Sequence, residues 1–133
     1  MKVLGVDLGT KRIGLALGDT QGKIAVGLPT IKQDKKTFEE IKTLIDTHKI
    51  EKIIVGLPKT LNGRTGEQAG YTQKWANELS EQLGIDIVFE DERLSSKMAR
   101  DGLISIGREL SKENIDQAAA VLILQGYLDK LAS

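Results

Sequence analysis

The segment Lys52-Ile53-Ile54-Val55-Gly56 shows no alternation of polar and apolar residues. Its unbroken β-branched run describes a strand covered on both faces, as in a parallel sheet. The flanking sequence agrees with a sheet built around it. Upstream, Asp34 can cap a helix whose apolar positions Phe38, Ile41, Leu44 and Ile45 follow helical spacing, which gives a helical crossover into the strand. Earlier still, residues 1–7 and 12–19 read as strands, the second with Ile13, Leu15 and Leu17 on one face. Gly9-Thr10-Lys11 between them suits a tight hairpin, because glycine tolerates positive φ. Residues 24–31 complete an antiparallel meander, with Pro29 marking an interruption or an edge position.

Downstream, residues 57–66 are rich in Gly, Pro, Asn and Thr and read as a loop at the C-terminal end of the buried strand. Thr65 and Gln68 form a capping-box pattern for a helix carrying Ala69, Thr72, Trp75, Ala76, Leu79 and Leu83. Residues 85–90 make a fifth strand that ends in the acidic cluster Glu90-Asp91-Glu92. Ser95 can cap a helix through Met98, Ala99 and Leu103. A polar stretch over 105–112 then leads to a last helix expected to begin at Asn114, with Gln117 at the reciprocal capping position. Ile115, Ala118, Ala119, Leu122 and Gly126 share one side of that helix. The order βββαβαβαα predicts an α/β fold: a five-stranded mixed sheet, three strands antiparallel and then two parallel, flanked by helices. At 133 residues, with no repeat and no linker, the expectation is one domain over 1–133.

The absence of cysteine excludes disulfides, thiolate zinc sites and cysteine nucleophiles, and a single histidine leaves zinc without its usual ligands. No apolar run approaches the roughly 20 residues that span a bilayer, and the chain opens without signal-peptide features, so a cytoplasmic protein is expected. A formal net charge of zero counts against a nucleic-acid partner, because phosphate binding rests largely on lysine and arginine. A carboxylate-rich site lowers the net charge, however, and bound metal would restore positive charge where a phosphate must sit.

Three acids fall where such sheets collect function, beyond the carboxyl ends of parallel strands. Asp7 ends the first strand, Glu92 follows the fifth, and Asp116 is expected in the first turn of a helix that continues with three alanines. Small side chains there would let the helix press on the sheet and carry Asp116 toward the other two. Clustered carboxylates repel one another unless a cation binds between them, and oxygen-only ligands suit Mg²⁺ or Mn²⁺. A pair of such ions ~3.5 to 4 Å apart would stabilise both oxygens of an in-line phosphoryl displacement, with Asp7 bridging them.

The residues that carry this chemistry also form a recognisable series. Asp7-Leu8-Gly9-Thr10-Lys11-Arg12-Ile13-Gly14 resembles the opening signature of the YqgF/RuvX family, described as Holliday junction resolvases. Val55-Gly56-Leu57-Pro58 with Asn62-Gly63, Asp91-Glu92-Arg93-Leu94-Ser95-Ser96 and Ile115-Asp116-Gln117-Ala118-Ala119-Ala120 follow in that family's order and spacing. The resemblance implies an RNase H-like fold and metal-dependent hydrolysis of nucleic acid, with Asp7, Glu92 and Asp116 as catalytic and metal-binding acids. It implies two candidate substrates: the 5′ end of pre-16S ribosomal RNA, which ranks first, and branched DNA resolved by a dimer. Lys11, Arg12 and Arg93 lie within matched motifs and are the expected phosphate contacts. Lys59, Arg64, Lys97, Arg100 and Arg108 lie in or beside the same loops. The chain departs from the family pattern at Gly18-Asp19, where Ser-Asp is common, and a fourth acid is offered only by Glu113.

Bland readings compete at each position. Asp7 could simply end a strand, Glu92 could belong to a solvated acidic run with Glu90 and Asp91, and Asp116 could complement a helix dipole. Trp75 reads as core rather than as a base-stacking residue, Tyr71 as exposed, and His48 as a helix-end residue facing solvent. An actin-like or sugar-kinase ATPase shares the Asp-x-Gly-Thr hairpin but needs a second lobe that this chain is too short to hold. A binding module without catalysis, recognising RNA or a protein, is the remaining rival.

Overall fold

Lys2–Leu8 (β1), the central strand, pairs antiparallel with Arg12–Asp19 (β2) and parallel with Ile50–Leu57 (β4). Ala25–Lys32 (β3) lies antiparallel outside β2, and Asp86–Asp91 (β5) lies parallel outside β4. The expected mixed sheet is therefore present, in the order β3-β2-β1-β4-β5. The computed structural model describes residues 1–58, 66–92 and 95–132, the side chains of 95–97, 99, 100 and 132 apart. Its helices are Thr37–His48 (α1), Glu67–Leu83 (α2), Ser95–Ser105 (α3) and Lys112–Ala132 (α4).

The period of two along the strands sorts the core into two layers. Leu4, Val6, Leu8, Ile13, Leu15, Ile53 and Val55 pack on one face against Ile41 of α1 and Trp75, Ala76 and Leu79 of α2. Trp75 is core, as its spacing predicts, and meets Phe38 edge to face at 5.7 Å. On the other face Val3, Ala16 and Ile54 pack against Ala120, Ile123, Leu124 and Leu128 of α4. Of the residues read from spacing as one side of α4, Ile115, Ala118, Ala119, Leu122 and Gly126, only Ala119 is fully buried, and the sheet-facing side centres instead on Ala120, Ile123, Leu124 and Leu128. Helix α3 stacks on α4 and buries Leu103, so α4 meets apolar neighbours on more than one side and its periodicity cannot single out a stripe.

Helix starts also differ from expectation. Asp34 does not cap α1: its Oδ1 accepts the Lys36 N–H in the turn before the helix, and Thr37 Oγ1 accepts the Asp34 N–H. Helix α2 starts after Gly66, with no side-chain cap, and the expected Thr65 lies outside the described residues. Helix α4 starts two residues before Asn114, because Ser111 is its cap: Ser111 Oγ accepts the Asn114 N–H at 3.1 Å. Gln117 then has no capping task and donates from Nε2 to the Leu28 carbonyl on β3. Strand β3 is an edge, as Pro29 suggested, and Pro29 and Thr30 together oppose the single residue Gly14, forming a bulge. In the hairpin, Gly9 does not use positive φ. It is glycine because a Cβ there would stand 2.5 Å from the Arg12 carbonyl oxygen, whose bond from the Gly9 N–H closes the loop.

Candidate active site

Asp7 shares its face of β1 with Val3, so its carboxylate lies on the α4 side, opposite Gly14 of β2. What brings the other acids there is a set of glycines under α4. A Cβ added to Gly14 would run into the backbone carbonyl of Asp116, and one added to Gly5 would come within 2.7 Å of Leu124 Cβ. At Gly56 of β4 it would collide with Ile123 and reach 2.7 Å from Glu92 Oε2. The helix backbone consequently lies on the strands themselves, with Asp116 over β2 and Glu92 over β4, on either side of β1. The alanines of α4 contribute to this approach, as Ala120 does, and the sheet glycines complete it. Their signal is glycine at one strand parity on neighbouring strands.

Asp116 sits in the second turn of α4 rather than the first, since the helix begins at Lys112. The helix dipole therefore explains little of its placement. The Asp7 and Glu92 side chains lie close enough to act on each other's protonation. Burial pushes the Asp7 carboxyl up, and the nearby Asp116 charge adds to the effect. Burial, then the Asp7 charge, pushes Glu92 up to about 9. Two half-buried carboxylates this close disfavour joint ionisation, which favours a proton on Glu92 when no cation is bound. Asp116 is raised by burial too, against which the Arg12 guanidinium acts. Arg12 Nε stands 3.7 Å from Asp116 Oδ2.

The donors fit a hard divalent cation: carboxylate oxygens, partly withdrawn from water, whose proton affinity is raised by burial. Asp7 and Glu92 lie close enough to act on each other's protonation and could both face one cation. Among the described residues no three of His, Asp and Glu gather around one ion position, Asp116 being engaged by Arg12.

The remaining expected residues separate. Lys11 is exposed at the tip of the β1–β2 hairpin, and Glu113 is exposed in the first turn of α4. Arg108 Nη2 donates to Asn114 Oδ1 and so ties the α3–α4 connection to the start of α4. Glu90 is buried and paired with Lys130, a structural role that distinguishes it from Glu92. His48 is half-buried in the last turn of α1, and Tyr71 is exposed on α2. Arg93, Lys59 and Arg64 lie outside the described residues, as do the side chains of Lys97 and Arg100. Sequence reasoning also missed Lys32, which pairs with Arg12 across the β2–β3 ladder.

Comparison with known proteins bears on this arrangement. Residues 1–130 match the model of the RuvX family, described as Holliday junction resolvase. A protein of Sulfurihydrogenibium sp. (strain YO3AOP1) is 45% identical over 133 residues, covering 98% of this chain and 92% of that one. One of Thermoanaerobacter pseudethanolicus is 46% identical over 134 residues, covering 97% and 96%. Both carry a name that assigns them, provisionally, to pre-16S rRNA nuclease activity. Among solved structures, Thermus thermophilus RuvC with a Holliday junction substrate aligns with TM-score 0.61 and 16% identity, covering 100% of this chain and 97% of that one. The Fowlpox virus resolvase with Holliday junction DNA aligns with TM-score 0.65 and 12% identity, covering both chains fully. These likenesses show the expected RNase H-like fold.

Proposed function

The chain belongs to the RuvX family of Holliday junction resolvases, and from that premise we propose that it is a divalent-metal-dependent nuclease that processes the 5′ end of pre-16S ribosomal RNA. The observation that carries the reading is the coupled pair of half-buried carboxylates, Asp7 and Glu92, with the Asp116 charge acting on Asp7. An acidic pair partly withdrawn from water is costly to ionise unless a cation completes it. RNA ranks before branched DNA because the relatives named for pre-16S rRNA are 43% to 46% identical. The junction-bound structures are 12% and 16% identical.

Asp7 and Glu92, with Asp116 as a third ligand, would hold Mg²⁺ or Mn²⁺. When bound, the metal would lower the pKa of the attacking water and offset charge building on the phosphate. The protein's own groups do the rest. With the Glu92 proton released to solvent, both carboxylates would be free to act as ligands. Arg12 and Lys11, at the same end of the sheet, draw the phosphodiester toward them, and α4 closes the site from one side. The whole chain would serve as one cytoplasmic nuclease domain, and among the described residues no helix is long and apolar enough to cross a membrane.

The test sets two labelled substrates side by side, a pre-16S 5′-leader RNA and a four-way DNA junction, with Mg²⁺ or Mn²⁺ and with chelator. Metal-dependent cutting of the RNA alone, lost in Asp7→Asn with the fold retained, is the expected result. Symmetrical junction cutting would move the assignment to a resolvase acting as a dimer. Inactivity on both would favour a binding module.

A further inference from the structure

Arg12 of β2 and Lys32 of β3 are paired residues in the antiparallel ladder, so two cations stand side by side at the end of the sheet that holds the acids. Like charges opposed in this way repel, and the arrangement is uneconomical unless an anion joins them. Arg12 has a counter-charge in Asp116. Lys32 and Lys11 are exposed, and neither makes an ion pair among the described residues. Between the hairpin tip and the end of β3 lies an open groove of about 490 Å³, into which Arg12, Lys11, Lys32, Thr10 and Thr30 face. The Gln33 N–H bonds to the Lys11 carbonyl at 2.9 Å and joins its two walls. Two carboxylates also line it. Asp34 is committed to the turn before α1 through the Lys36 N–H, and Glu113 stands at the α4 end, nearest Asp116.

We propose that this groove holds one unpaired strand of nucleic acid, running from the phosphate at Arg12 past Lys11 and Lys32, which bind its next phosphates. The inference rests on the nuclease reading above and adds to it a preference for substrates with a single-stranded segment beside the cut. A basic groove that follows one backbone is how single strands are held, whereas a duplex presents two phosphate rows. Among the described residues no aromatic side chain lines the groove, so the contact reads phosphates rather than stacked bases.

Fluorescence-anisotropy titrations over a range of KCl concentrations test this, using labelled RNA duplexes that are blunt or carry a short unpaired extension. For the parent protein the extension is expected to tighten binding about tenfold and to steepen the plot of log K against log salt by about 1.4, roughly 0.7 for each lysine–phosphate contact. The double variant Lys11→Gln/Lys32→Gln should lose that added slope and affinity, and Lys11→Arg/Lys32→Arg should keep them. An unpaired DNA extension should bring the same gain, because only phosphates are read. Equal binding of blunt and extended RNA, a gain that survives in the glutamine variant, or a gain confined to RNA would each overturn the proposal. Cleavage by the parent protein separates the two readings. Failure to cut any RNA counts against the nuclease, whereas cutting and binding that ignore the extension count against the groove alone.

Discussion

Arg12 Nε stands 3.7 Å from Asp116 Oδ2, near enough for its charge to act and too far for a hydrogen bond. The guanidinium opposes the effect of burial on Asp116 and keeps that carboxyl ionised to lower pH than it otherwise would be. Arg12→Gln should therefore move the acid limb of the rate–pH profile to higher pH, because Asp116 acts as a carboxylate and would protonate earlier. Arg12→Lys retains the charge and should leave the limb closer to that of the parent. Single-turnover rates across the acid range check this, and an unmoved limb in Arg12→Gln would remove Asp116 from the reaction.

The raised Glu92 carboxyl makes the metal-free protein pH-sensitive. Its value of about 9 in the folded chain lies above the ordinary 4.5, so between these limits the native state binds more protons than the unfolded one. Stability is then fully present below the unfolded value and falls as pH rises toward 9. Thermal melts in chelator should show Tm dropping by several degrees over that range, an effect of at least about 1 kcal/mol. Glu92→Gln should flatten the decline. Added Mg²⁺ or Mn²⁺ should raise Tm most at high pH, where both carboxylates are ready to bind it.

Ser111 sets where α4 begins and hence how firmly the helix holds Asp116 over β2. Its hydroxyl accepts the Asn114 N–H, a contact that alanine cannot make. Ser111→Ala is expected to cost about 1 kcal/mol, read as a lowered midpoint in urea, with activity reduced in parallel. Ser111→Asp, which keeps the acceptor, should restore most of the loss.

Much of this molecule is legible in the sequence because two simple periodicities wrote it. Alternation in 12–19 gave the faces of β2, and the unbroken apolar run at 53–55 gave a strand buried on both sides. Helix starts were harder, since Ser111, Asp34 and Thr37 all sit within turns whose hydrogen bonds depend on where β3 ends and α3 stops. The face of α4 was illegible for a different reason: with α3 packed on it, apolar residues occur around much of its circumference. The three acids could be named from the ends of their elements. Their mutual distances could not, because these follow from glycines on other strands.

Gly14 offers the strictest test of that last dependence. Only an α-hydrogen fits on the α4 side of its Cα, and a methyl group there would meet the carbonyl carbon and oxygen of Asp116, which are backbone and cannot rotate away. Gly14→Ala must push α4 off β2 or bend the strand, at a cost of about 3 kcal/mol by the usual penalty for overpacking. The displacement also carries the Asp116 carboxylate away from Asp7, so cleavage should fall even at temperatures where the variant is fully folded. Gly22→Ala is the matched control, since nothing lies within 4 Å of its Cβ, and it should stay within about 0.5 kcal/mol of the parent. Urea melts and cleavage rates of the two variants give the comparison. If Gly14→Ala were as stable and as active as Gly22→Ala, the close seating of α4 on β2 would not be what holds the acids together.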